Sequence, residues 1–252
     1  DNGTFSINLP SWSDTLVRSY IRVYTANEAG LGNDVLVPLQ KGKVLNDVAD
    51  LRRTDYHGLV LYNAFVDRFN NADTTNDSPT PNDSIHPRAN YHGGDVLGVV
   101  EKVQDGYFES LGVNGIWLSP IVKNTKGAFG YWPNPETKFS AYHGYWPTSF
   151  TAIDRRMGTP TNLEELVDMA HNKNLNVFLD FVANHVHQEH PVYQAHKDWA
   201  TNLYLKDGTL NTERWDNHRL STWFDTFMPS LKLYDPEVYE MLTDSALWWV
   251  KR

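Results

Sequence analysis

Three observations predict an α/β fold built on a parallel sheet. Continuous apolar runs alternate with segments of helical period, as repeated βα units do. The run LVLYNAFV at 59–66 is continuously apolar, as expected for a parallel strand buried on both faces. Each run ends in polar residues on its C-terminal side, as in a (β/α) barrel or a doubly wound sheet. No glycine-rich GxGxxG or GxxxxGKS loop follows any strand, so nucleotide-binding versions lose weight.

Taken in order, residues 1–50 form a β-rich N-terminal segment. SYIRVYTANEAG and NDVLVPLQ read as strands around a Gly-Asn-Asp break at 32–34. The segment is too short for a full sandwich. The first apolar run, LVLYNAFV at 59–66, ends in Asp67, Arg68 and Phe69. A helix is predicted over 96–111, where Val96, Val99, Val100, Val103, Tyr107 and Leu111 keep helical spacing and Gly112 caps the end. GIWLSP at 115–120 is a short strand stopped by Pro120. The next helix starts near Thr161, with Thr161 and Glu164 as its capping box and Leu163, Leu166, Val167 and Ala170 as its buried stripe. NVFLDFVA at 176–183 is the third strand. A last helix begins at Asp235-Pro236, with Asp as cap and Pro in the first turn. Three strands are visible where a closed barrel needs eight, so either more chain exists or the architecture differs.

Composition removes several function classes. The net charge of −9 and the lack of a basic block argue against nucleic acid or an anionic membrane as partner. No apolar run approaches a membrane span. Without cysteine there is no disulfide, thiolate zinc site or cysteine nucleophile. That composition fits a bacterial exported protein and also many cytosolic ones. The chain opens on Asp rather than Met and shows no signal peptide, so an original start is expected to have been removed. Nine Trp, thirteen Tyr and eleven Phe cluster in loop-like stretches such as AFGYWPNP and SAYHGYWPTSF. They serve either loop packing or stacking on flat apolar faces such as sugar rings.

Two groups of residues carry candidate chemistry. Asn184 and His185 stand where the third strand delivers side chains to the open end of a parallel sheet, as a site or as satisfied structural groups. Asp180 interrupts an apolar run, and a buried carboxylate needs a partner. It serves either a structural ion pair or catalysis. In the second group Asn71, Asp73, Asn76 and Asp77 precede Gly93-Gly94-Asp95. Such oxygen-rich loops suit a hard cation, which takes six to eight oxygens, but also suit a solvated turn. The spacing is not that of an EF-hand.

DFVANH (180–185) resembles the first conserved motif of the α-amylase family of glycoside hydrolases, Asp-x-Val-x-Asn-His. DRF (67–69), HGGD (92–95), GVNGIWLSP (112–120) and YHGYW (142–146) resemble companion motifs in the same order, so the resemblance covers about residues 58–252. It implies a partial (β/α)8 TIM barrel of three βα units. The first part of the barrel would occupy 51–185, a domain B insertion 186–233, and a barrel helix 234–252. It implies that Tyr145 stacks against a sugar ring and that His143 and His185 bond its hydroxyls. Asp180 would support the site. Asn184 would ligate calcium at the junction of barrel and domain B. Asn71, where relatives often have Asp, would share a second calcium site with Asp73, Asn76, Asp77, Gly93 and Asp95.

The implied activity is retaining cleavage of α-glucosidic bonds in starch-type glucans, by two carboxyls about 5–5.5 Å apart. No carboxylate here matches the family's nucleophile or acid/base, so the segment alone is expected to be inactive. The implied partners are an α-glucan and the remainder of the catalytic domain, without which an apolar sheet edge stays exposed and solubility suffers. The expected location is outside the bacterial cytoplasm, secreted, periplasmic or at the cell surface. The rival expectations are a non-catalytic carbohydrate-binding relative and a transglycosylase or isomerase working through the same covalent intermediate.

Overall fold

The computed structural model describes residues 4–47, 50 and 53–251. The expected 50/51 boundary and the chain's two ends, Asp1 and Arg252, fall at or beyond the limits of the described residues. The N-terminal segment holds an antiparallel sheet in which β1 (Ser19–Val23) pairs with β4 (Val35–Gln40), and β4 with β5 (Lys43–Val44). The short pair β2 (Ala26–Asn27) and β3 (Gly30–Leu31) lies between them in sequence. An Arg18–Asp55 ion pair, largely shielded from solvent, ties this sheet to the rest.

The central sheet is parallel, as predicted. Its strands are β6 (Leu61–Ala64), β7 (Gly115–Leu118) and β10 (Asn176–Leu179), with β7 in the middle. Asn114 locks the entry side. Its Oδ1 accepts the Val60 N–H at 2.7 Å, its Nδ2 donates to Gly58 O, and its carbonyl accepts the Asn176 N–H. One face packs under α2 (Val96–Gln104), α3 (Tyr107–Ser110) and α4 (Pro160–Asn172), around Val99, Val103, Phe108, Ile116, Leu166 and Ala170.

The expectation of burial on both faces is corrected. In the run at 59–66, for which it was made, Ala64 of β6 is buried while Leu61 is 46 % exposed; in β7 likewise Ile116 and Leu118 are buried while Trp117, pointing the other way, is 40 % exposed. Strand alternation puts Trp117 on the face that no described element covers.

Local signals shift several boundaries. The helix expected over 96–111 divides into α2 and α3, because Gly106 adopts a left-handed conformation (φ 80°) between them. The capping box of α4 is Thr159 with Asn162, not Thr161 with Glu164: Pro160 already occupies the first turn, so the cap must precede it. Asp95 caps α2 by accepting the Gly98 N–H. The run at 59–66 forms a strand only to Ala64, and α1 (Val66–Phe69) follows, with the Val66 N–H held by Ser119 Oγ at 3.0 Å. The stretch AFGYWPNP, loop-like in sequence, forms most of a hairpin of β8 (Phe129–Pro133) and β9 (Glu136–Phe139).

Residues 186–233 contain short helices only: α5 (Pro191–Ala195), a 3-10 turn at Lys197–Trp199, and α6 (Trp215–His218). They are held by isolated bridges such as His185 with Ser230 and Ala200 with Leu231. The chain then enters α7 (Pro236–Val250), capped by Asp235 as predicted. α7 docks through Val238 and Leu242, and Trp249 Nε1 donates to Phe150 O at 2.7 Å. Between α7, α4 and β10 lies an apolar cavity of about 770 Å³. No helix among the described residues is long and apolar enough to cross a membrane.

Candidate functional site

The three parallel strands end at the same side of the sheet, and Phe65, Ser119 and Asp180 follow directly after them. Over this end folds the 141–147 loop. Its turn depends on Gly144, whose φ is 84° and where a Cβ would lie 2.1 Å from the Pro120 carbonyl oxygen. Only glycine fits a left-handed conformation so close to backbone. The turn is closed by the Gly144 N–H on Ala141 O, and Trp146 N–H is held by the buried Asn124 Oδ1 at 2.7 Å.

This loop brings Tyr145, His143, His185 and Asp180 together. The Tyr145 hydroxyl donates to Asp180 Oδ2 at 2.8 Å, and its ring remains 38 % exposed. Burial, with the Asp180 carboxylate beside it, pushes the Tyr145 phenol up to about 12, so it stays a neutral donor. The His143 ring stacks near the Tyr145 ring, centroids 6.0 Å apart, and its Nδ1 accepts the Tyr145 N–H at 3.0 Å. Burial, with His185 nearby, pushes His143 down to about 4. A neutral ring accepting at Nδ1 carries its proton on Nε2, which makes no hydrogen bond among the described residues.

His185 is buried, and its Nε2 donates to the Tyr145 carbonyl at 2.9 Å. It thereby fixes the backbone of the tyrosine. Burial lowers its pKa. The side chain of the exposed Asn184 has one polar neighbour among the described residues, His185 Nδ1 at 3.5 Å, while its carbonyl accepts the Leu231 N–H. Asp180 does not sit inside a strand: β10 stops at Leu179, so the carboxylate is at the rim, half-buried and bonded to Tyr145.

The other histidines of this region are structural. His187 is fully buried in a box of Phe129, Trp146 and Phe227, and His190 packs on Phe150. Burial pushes both down to about 4, and each leaves a buried Nε2 without a partner. Sequence reasoning missed Phe224, whose ring lies 4.8 Å from His185, and Trp215, 4.6 Å from Phe224. Their aromatic character was visible, but not that a segment some forty residues on would fold back through the Ser230 bridge.

The second group is also assembled. Asn71 Nδ2 donates to both Asp77 carboxylate oxygens at 3.0 Å, and a Cβ on Gly93 would lie 2.1 Å from Asp77 Oδ1. Asp95 Oδ2 accepts the Asp73 N–H at 2.9 Å and Asn76 Nδ2 at 3.4 Å. The turn is anchored by the buried Asp67 carboxylate, which accepts the His92 and Gly93 N–H groups. Asn76 Oδ1 is buried and accepts nothing. Among the described residues no three His, Cys, Asp or Glu side chains converge as a metal cluster, so amide and carbonyl oxygens would complete any cation site.

A parallel βα sheet with polar groups gathered at its C-terminal strand ends is the architecture of TIM-barrel-type enzymes. Comparison with known proteins specifies the branch. The α-amylase catalytic-domain model matches residues 63–252. An α-amylase from Niallia circulans is 31% identical over 188 residues, covering 70% of this chain and 34% of that protein. A cyclomaltodextrin glucanotransferase from the same organism is 34% identical over 177 residues, covering 66% of this chain and 24% of that protein. The crystal structure of an α-amylase from Geobacillus thermoleovorans complexed with acarbose matches with a TM-score of 0.58 at 34% identity, over 77% of this chain and 37% of that one. The chain belongs to the α-amylase family, and it spans about a third or less of the length of these curated relatives.

Proposed function

We propose that this chain forms the substrate-binding part of an enzyme that cleaves α-glucosidic bonds in starch-type glucans with retention. The observation that carries the reading is the Tyr145–His143 pair: a rigid, half-exposed ring beside a neutral imidazole with an unused Nε2–H. A sugar ring offers an apolar face for the tyrosine and hydroxyl oxygens for the imidazole. His185 positions the tyrosine through its carbonyl, and Asp180 fixes the phenol. The nucleophile and acid/base belong to the remainder of the catalytic domain. The uncovered Trp117 face and the apolar cavity beside β10 are the surfaces that further barrel strands would cover. A glucanotransferase among the relatives keeps transglycosylation open as the outcome of the same intermediate.

Calcium fits the 71–95 cluster. Asp73, Asp77 and Asp95 supply carboxylates, a half-turn of the Asn71 amide would present its oxygen, and the buried Asn76 Oδ1 lacks any other partner. Bound there, the ion would hold the loop after α1 against the N-terminus of α2. Asn184 has no comparable set of oxygens about it among the described residues, and a second ion there rests on the family resemblance alone.

The test is maltooligosaccharide binding by the intact protein. Tyr145→Ala and His143→Ala should each weaken it roughly tenfold or more, the scale of one lost stacking or charge-free polar anchor. Unchanged affinity in both variants would end the reading.

A further inference from the structure

Against a net charge of −9, one cavity of the molecule is strongly basic. It measures about 380 Å³ and lies where the loop at 78–81 meets the loop after β7 and the approach to α4. Lys123, Lys126 and Arg155 line it, all exposed and none in an ion pair among the described residues. Arg156 also lines it and is only 8 % exposed. Its Nε and Nη2 are taken by Asp154 at 2.8 and 2.7 Å, and its guanidinium lies 4.0 Å above the Tyr91 ring. Its Nη1 makes no hydrogen bond among the described residues. The one carboxylate in the wall, Asp154, is saturated, because it also accepts the Asn124 and Arg156 N–H groups. Thr80, 6 % exposed, completes the wall with a buried hydroxyl that has no partner.

The cavity thus holds an excess of donors. Three free cations surround a neutralised ion pair, with a guanidinium N–H and a hydroxyl unused. Like charges gathered around one concavity repel, and an anion placed among them turns repulsion into charge-assisted hydrogen bonds. Arginine and lysine together suit a tetrahedral oxyanion, which offers several oxygens at once. We propose that this cavity binds a phosphate monoester dianion, through Arg155, Lys123 and Lys126 with Thr80 and Arg156 as fixed donors. The volume exceeds a bare phosphate and leaves room for an attached sugar. The wall also reaches the tyrosine loop, since Asn124 Oδ1 holds the Trp146 N–H next to Tyr145. The ester would be one carried by a glucan, and that source rests on the function proposed above.

Calorimetric titration of the intact protein in about 150 mM salt tests this, with inorganic phosphate, glucose 6-phosphate and a phosphorylated maltooligosaccharide as probes. Saturable phosphate binding with Kd below about 1 mM is expected. Lys126→Gln and Arg155→Gln should each raise Kd roughly tenfold. Thr80→Val, close in shape, should raise it severalfold while leaving binding of plain maltooligosaccharide unchanged. Tighter binding of the phosphorylated oligosaccharide than of either phosphate or plain oligosaccharide identifies the glucan-borne ester. Equal binding of phosphate and its esters identifies the free ion as ligand of the same site. No saturable binding, or binding indifferent to Lys126→Gln and Arg155→Gln, overturns the proposal by showing independently solvated cations. Phosphate binding retained without any binding of plain maltooligosaccharide sinks the glucan reading alone.

Discussion

Acid should loosen this structure well above the pH at which carboxylates titrate, and His187 and His190 are the reason. His187 is fully buried and His190 is 3 % exposed, and burial pushes both down to about 4. In the unfolded chain each returns to an ordinary value near 6.5. The folded pKa lies below the unfolded one, so unfolding takes up protons between about pH 6.5 and 4. Stability is therefore full above about pH 6.5 and falls as pH drops toward 4. At pH 5.5 each ring costs about 1.2 kcal/mol relative to neutral pH, and the pair about 2.5 kcal/mol. His143, also pushed down to about 4, acts in the same direction. The consequence reaches the site, because His187 packs against Trp146, the neighbour of Tyr145. Urea unfolding of the intact protein at pH 7.5 and 5.5 checks this, with protons taken up on unfolding measured alongside. A stability difference below about 1 kcal/mol, or less than about one proton taken up, would refute the account of these rings as neutral core groups.

Two further outcomes follow from the bonds around the site. Asp180→Asn should lower the Tyr145 phenol pKa from about 12 without restoring its ordinary value, because burial remains; difference titration against Tyr145→Phe reads the shift. Calcium should raise the melting temperature, by a stabilisation of about 2.7 kcal/mol at a hundredfold excess over Kd, and Asn76→Ala should abolish most of that gain; a calcium response identical in the variant would remove the 71–95 site.

What the sequence disclosed was what local pattern controls. The runs at 59–66, 115–120 and 176–183 each contain a strand of the parallel sheet, and Asp235-Pro236 marks the start of α7. The errors arose where a backbone conformation or a distant partner decides. Gly106 looks like any glycine in a helical pattern, yet its left-handed φ splits α2 from α3. Thr159 and Thr161 both precede a Glu or Asn at the right spacing, and the placement of Pro160 decides between them. Asp180 reads as buried because its neighbours are apolar, but the strand ends one residue earlier.

The site divides the same way. Tyr145, His143, His185 and Asp180 could be named from motifs, but their division of labour could not. That His185 spends its Nε2 on the Tyr145 carbonyl while His143 keeps its own free depends on how the loop turns at Gly144. The fold-back that sets Phe224 against His185, and the convergence of Lys123, Lys126 and Arg155, arise from contacts between segments far apart in sequence.

The central claim is that Tyr145 and His143 together receive a glucose ring. A crystal structure of the intact protein with a bound maltooligosaccharide tests it most directly. The account predicts a pyranose face stacked on Tyr145 and a sugar oxygen within hydrogen-bond distance of His143 Nε2. An oligosaccharide bound elsewhere, with the Tyr145 ring left to solvent, would contradict it.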